Sequence, residues 1–231
     1  MTGKLIVAID GPSGVGKTTV ARGVAQRLGV PYFETGAMYR AVGWKLLQLG
    51  IDPEDREAAE RVAAELDLGF RLGEAGKMEV LLDGAPVGEE IRTPEVSEAT
   101  SRSAVHPGVR RRLVELQRQW AGECGAVMEG RDIGTRVFPG TPYKFFLEAP
   151  EEVRIERRLG QLRRAGGRGL SHRQLEAELT ERDRRDRRRP TSPLTYDESY
   201  VALDTAHLSA EEVIDRIVER VGAAGGVSAG C

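Results

Sequence analysis

Asparagine is missing from all 231 residues, lysine occurs five times against 29 arginines, and cysteine appears only at positions 124 and 231. Each shortage excludes something. Two cysteines cannot build a disulfide framework, so a reducing compartment is expected and the localisation reads as cytoplasmic. No stretch approaches the roughly 18 apolar residues of a membrane span. The first apolar run, LIVAI from Leu5, turns acidic and glycine-rich too soon for the core of a signal peptide. Missing asparagine is one thermophile tendency, whereas arginine in place of lysine is not a general thermophile signal and fits a GC-rich genome equally well. A formal net charge of −2 lacks the broad basic excess of a nucleic-acid binder. Yet ERDRRDRRRP packs six arginines into residues 182–189. So much positive charge in a slightly acidic chain calls for a local, compact anionic partner.

The chain suits one substantial domain with an insertion. Short apolar runs at 5–10, 30–35, 125–130, 143–149 and 200–205 read as strands. Helical patterns separate them, the first at 17–28 with Val20, Val24, Ala25 and Leu28 on one face, the second at 37–49. Such alternation predicts βαβ units and a parallel sheet. Ser209 and Glu212 form a capping-box signature ahead of Val213, Ile214, Ile217 and Val218. Residues 68–92 break the alternation with β-like runs between glycine-rich turns, which predicts a small antiparallel insert. Helical patterns follow near 94–104 and 108–120. RRAGGRG (163–169) reads as a glycine-hinged loop, and 223–231 as a frayed tail.

GPSGVGKT, Gly11 to Thr18, fits G-x-x-x-x-G-K-[ST] between a strand and a helix, the context that a P-loop needs. Gly11, Gly14 and Gly16 let successive N–H groups turn inward on a phosphate, with Pro12, Ser13 and Val15 completing the loop. The helix N-terminus at Thr18 and Thr19 adds partial positive charge. Lys17 can reach β- and γ-phosphates, and the Thr18 hydroxyl suits Mg²⁺, directly or through water. A nucleoside triphosphate donor is implied. A GTPase reads guanine with an asparagine-containing segment, which this chain cannot supply. A kinase of a small phosphorylated molecule fits better.

On a helix over 171–188, Arg182, Arg185, Asp186 and Arg189 share one face. Asp183 and Asp186 can hold guanidinium groups extended. Transfer between two anionic phosphates needs converging positive charge, and arginine supplies it. A charged run is more often only a solvated helix face, but the neighbouring P-loop favours function. Arg157, Arg158, Arg163 and Arg164 fit a lid or a solvated surface equally.

IDGPSGVGKTT, ETGAMYR (34–40), EIRTPEVSEATS (90–101), EGRDIGTRVFPG (129–140) and ERDRRDRRRP together resemble the bacterial cytidylate kinase family, across residues 5–220. The resemblance implies an α/β, three-layer P-loop fold: a five-stranded parallel core sheet, helices on both faces, and an antiparallel insert in the monophosphate-binding region. It implies one domain over 1–222, with core segments 1–35, 122–157 and 190–222, a monophosphate-binding region at 36–121, and a lid with the arginine-rich helix at 158–189. The implied reaction uses ATP and Mg²⁺ to convert CMP or dCMP to the diphosphate. UMP or AMP remains the alternative acceptor. By position Arg40, Arg131 and Arg189 match arginines on the acceptor phosphate, and Arg182 and Asp186 match groups at the sugar. Ser101, Arg110, Asp132 and Thr35 match the surroundings of cytosine, Arg185 a lid-side arginine on the ATP phosphates, with Arg157 and Arg158 near the donor. Catalytic weight falls on Lys17, Arg131, Arg182, Arg185 and Arg189. Glu34-Thr35 stands where Asp-Ser is frequent, and Thr18-Thr19 where Gly-Thr is often found. The expected partners are small nucleotides, without nucleic acid or membrane, and the expected state is a monomer.

Cytosine presents an N4 donor that a carboxylate accepts, so Asp132 can read it while Arg110 donates to O2 or N3. Uracil would face that carboxylate with a lone pair, and such mismatches are rejected by about 10⁴–10⁵. Asp132 also follows a strand, where an acid tuning Mg²⁺ would stand, and both roles stay open. The acceptor phosphate is already anionic, with a second pKa of about 6, so no side chain need act as base. His106, His172 and His207 are scattered and receive no role. Tyr39 reads as packing.

Overall fold

A computed structural model describes residues 4–73, 76–164 and 172–223. Its centre is β1 (Ile6–Asp10), buried along its whole length because strands flank both its edges and helices cover both its faces. β6 (Ala126–Gly130) and β7 (Tyr143–Glu148) pair with it in parallel, β2 (Tyr32–Glu34) lies outside β6, and β8 (Val201–Asp204) outside β7. The order β2-β6-β1-β7-β8 is the five-stranded parallel sheet that the alternating pattern predicts. Strand periodicity sorts the core. Val7 and Ile9 join Val127, Phe145 and Leu147 beneath α1 (Lys17–Leu28) and α8 (Ala210–Gly222). Ile6 and Ala8 join Met128 and Phe33 on the opposite face, under α2 (Thr35–Gln48) and α5 (Pro107–Cys124).

The antiparallel insert is also present: β3 (Leu68–Leu72), β4 (Met78–Leu82) and β5 (Ala85–Pro86) form a three-stranded sheet. Phe70 bridges it to the main core, its ring 5.5 Å from Phe33 and 5.1 Å from Trp120. Preceding it, α3 (Arg56–Glu65) is capped by Asp55, which accepts from Ala58 N at 3.1 Å. Its buried face is mostly alanine, too weakly apolar to mark a helix in the sequence. α4 (Pro94–Ser103) has Thr93 as its N-cap. α8 begins with the expected reciprocal capping box of Ser209 and Glu212.

α6 (Glu151–Arg164) and α7 (His172–Arg188) form a hairpin with its own small core of Ile155, Leu159, Leu175 and Leu179. The expected hinge at 163–169 lies outside the described residues beyond Arg164, and the tail does so beyond Ala223. Among the described residues no helix is long and apolar enough to cross a membrane. Cys124 is disulfide-bonded, and the chain's other cysteine, Cys231, lies outside the described residues.

Candidate active site

The loop between β1 and α1 is set by left-handed glycines, with φ of 78° at Gly14 and 98° at Gly16, the N-cap of α1. A side chain at Gly14 would press on the Arg154 carbonyl, 3.0 Å from its Cβ. Lys17 curls back over the loop and donates to the Gly11 and Pro12 carbonyls at 2.8 and 2.6 Å. Burial holds its ammonium well below the usual lysine pKa, with Arg131 adding to that and Glu129 opposing. Ser13, Gly14, Gly16, Thr18 and Thr19 line the adjoining cleft. Val15 is fully buried, and its carbonyl accepts from Thr205 at 3.1 Å.

The cleft has a cavity volume of about 190 Å³ and opens to solvent. Its walls carry seven cationic side chains, Lys17, Arg40, Arg110, Arg131, Arg158, Arg182 and Arg189, against four carboxylates, Glu34, Glu129, Asp132 and Asp186. A molecule of net charge −2 has thus concentrated an opposite excess in one place. Asp186 organises part of it, accepting from Arg131 Nε at 2.9 Å and Arg189 Nη1 at 3.1 Å. Burial raises the Asp186 pKa, but Arg131, Arg189 and Arg182 outweigh it and hold the carboxyl below its ordinary value. Among the described residues neither Arg158 nor Arg182 has an ion-pair partner. Burial and then the charges of Arg131, Arg40 and Arg158 push Arg182 down to about 10, with Asp186 opposing. Guanidinium groups that depress one another in this way are arranged for an anion.

At the far end Asp132 accepts from Arg110 Nη2 at 2.6 Å in a buried pair. The Arg110 guanidinium lies over the Tyr39 ring, 5.1 Å from its centroid. Thr35 donates to the Glu129 carbonyl at 2.6 Å, and Arg40 donates to Glu34 at 2.8 Å. Ser101 and Thr100 reach the cleft from α4.

The structure therefore gathers most of the residues singled out in the sequence and places two outside the cleft. Arg185 does not line the cleft. It forks onto Glu98 of α4 at 2.8 and 3.0 Å and donates to Ser101 Oγ at 3.1 Å. It shares a helical face with Arg182, but a carboxylate on the neighbouring helix draws it sideways. Arg157 is also outside, donating to Thr205 Oγ1 and O at 2.9 and 2.6 Å. Asp183 holds Arg154 at 2.6 Å, and Arg154 in turn donates to the Ser13 carbonyl at 3.0 Å, which ties the α6–α7 hairpin to the loop.

Two acids escaped the sequence reading. Glu129 accepts from the Thr18 hydroxyl at 2.8 Å and from Tyr32 OH. Its place at the end of β6, three residues before Asp132, was the available signal. Asp10, fully buried, accepts from the N–H groups of Ile133 and Gly134, both at 2.9 Å, and from Tyr200 OH at 2.8 Å. Burial, with the charge of Asp132 adding to it, raises its pKa to about 6 despite those donors. Nothing in a strand's last residue before a P-loop announces that it reaches a turn more than a hundred positions away.

Comparison with known proteins places this geometry among its relatives. The family described as "Cytidylate kinase" matches residues 7–223. The chain is 46% identical over 217 residues to a cytidylate kinase of Pelotomaculum thermopropionicum, covering 94% of this chain and 96% of that one. It is 44% identical over 218 residues to a cytidylate kinase of Desulfitobacterium hafniense, covering 94% and 93% respectively. Among solved structures it is similar in fold to an uncharacterized protein from Eubacterium ventriosum, with a TM-score of 0.51, 12% identity and coverage of 95% and 99%.

Proposed function

This chain belongs to the cytidylate kinase family and phosphorylates CMP or dCMP from ATP, and on that premise we propose how its cleft divides the work. The backbone N–H groups of Ser13 to Thr19 and the Lys17 ammonium hold the β- and γ-phosphates of ATP. Thr18 and Glu129 would hold Mg²⁺, which supplies charge neutralisation between those phosphates. Two protein oxygens suffice, because Mg²⁺ ordinarily keeps several waters and substrate oxygens. Arg40, Arg131 and Arg189 take the acceptor phosphate, Arg182 and Asp186 the sugar, and Thr35, Ser101, Arg110 and Asp132 the base. Arg158 serves the donor phosphates. Arg157 and Arg185 take structural parts.

Catalysis is then positioning and charge compensation. The acceptor oxygen is already anionic, so no proton need be removed. The observation that carries this reading is the mutually repelling set of Arg158 and Arg182, which have no ion-pair partner among the described residues, beside Arg131 and Arg40. The placement of Glu129 on Thr18 supports the base-reading role of the two open to Asp132. A carboxylate already stands at the metal side, which leaves Asp132 and its partner Arg110 for the base. The domain division has 36–121 as the monophosphate-binding region and 158–189 as the lid, supported by the separate α6–α7 core. We assign a monomeric state and the cytoplasm to the enzyme.

Turnover measured with ATP against CMP, dCMP, UMP and AMP tests the reading. CMP and dCMP should be preferred. A preference for UMP or AMP overturns the base assignment.

A further inference from the structure

The turn that follows Arg131 and Asp132 is a single π-helical turn, Ile133–Val137, closed by Phe138 N donating to Ile133 O at 2.7 Å. Like any helical start it exposes N–H groups that need acceptors, and the residue just before it ordinarily supplies one from its side chain. Here that residue is Asp132, an aspartate and so well suited to the task, yet it makes no capping bond. Its carboxylate is committed to Arg110. The acceptors come instead from Asp10, whose two oxygens take one N–H each, from Ile133 and Gly134. Tyr200 OH, projecting from the start of β8, steadies the second oxygen.

We propose that Asp10 is a positioning residue that caps the Ile133–Val137 turn in place of Asp132, and thereby frees the Asp132 carboxylate to face the acceptor base with Arg110. This deepens the acceptor-site reading and rests on it. The logic is one of supply. Two buried N–H groups need two oxygens, and the turn has one nearby carboxylate with another duty. A donor left unsatisfied in a buried site is costly, so without Asp10 the Asp132 side chain folds back onto its own turn. Arg131 and Asp132 then both shift, and misplacement of about 1 Å is enough to cost roughly 10²-fold. β1 itself is pinned by ladders on both edges, so the donor loop that follows Asp10 keeps its place. The lost hydrogen bonds fall on the acceptor side, and the carboxylate's charge reaches Lys17 only as a minor influence. Removing Asp10 outright is not required, because asparagine keeps the shape and offers only one acceptor oxygen.

Steady-state kinetics of the full chain, varying ATP and CMP separately, tests this with Asp10→Asn and Tyr200→Phe. Asp10→Asn should raise KM for CMP by about tenfold or more while KM for ATP stays within about twofold. The preference for CMP over UMP in kcat/KM should fall by a similar factor. Tyr200→Phe, which loosens Asp10 but leaves its N–H bonds, should shift KM for CMP in the same direction by a smaller factor. An unchanged KM for CMP in Asp10→Asn, or equal rises for both substrates, overturns the proposal. Should Asp10→Asn not fold, Tyr200→Phe decides by the same split. If the wild-type protein ignores CMP, the acceptor reading fails instead. Amide hydrogen exchange at Ile133 and Gly134 then still tests the cap, which stands if Asp10→Asn accelerates it and falls if it does not.

Discussion

Lys17 concentrates the residue-scale argument. It is 7% exposed, surrounded by arginines and bonded to two carbonyls of its own loop. A bound polyphosphate would offset such a placement, because its charge would restore the ammonium's pKa and take over its hydrogen bonds. Lys17→Ala should cut turnover by about 10²–10³ with an unchanged melting temperature, checked by coupled assay and thermal unfolding. Activity near wild type would mean that the loop is misread. Asp132→Ala should lose the CMP-over-UMP preference while KM for ATP moves little, as measured on both acceptors. Asp10 adds a linkage prediction. Its folded pKa of about 6 stands above the ordinary 3.8. Between those values the folded chain binds more protons than the unfolded one, so this group destabilises the fold above pH 6 and is relieved as pH falls. Relative to Asp10→Asn, the wild type should gain about 1 kcal/mol between pH 7 and pH 5 in urea unfolding.

Elements meet most closely where a glycine permits it. α2 and α4 cross at Gly43, whose Cβ would sit 2.6 Å from Thr100 Oγ1 and 2.9 Å from Thr100 N. That contact sets how deeply α4 delivers Thr100 and Ser101 into the cleft. Gly43→Val must push α4 outward, and overpacking of this kind costs about 1–3 kcal/mol. The melting temperature should fall by about 2–10 °C, and KM for CMP should rise more than KM for ATP. Equal rises would detach α4 from the acceptor site. The Arg185–Glu98 fork acts at the same junction, joining α7 to α4.

For the molecule as a whole, the separation of charge is the governing feature. A net −2 keeps the outer surface from collecting polyanions indiscriminately, while the cleft holds seven cations against four carboxylates. Attraction of a nucleotide is then long-range and screened by salt. KM for CMP should rise from 50 to 500 mM salt. A flat salt response would leave the arginines a short-range role only. Much of this could be read before any coordinates. The P-loop, the five strands, the insert, the capping box of Ser209 and the arginine-rich helix are local patterns, because periodicity, glycine conformation and helix capping act within a few residues of sequence. The fates of individual arginines could not be read that way. Arg182 and Arg185 lie on one helical face, yet Glu98, reached only through folding, takes Arg185 out of the cleft and leaves Arg182 in it. Glu129 beside Thr18 and Asp10 beneath Ile133 were equally hidden. Their partners are distant in the chain, and electrostatics and hydrogen bonding depend on distance in space, which only the packed sheet and helices assign.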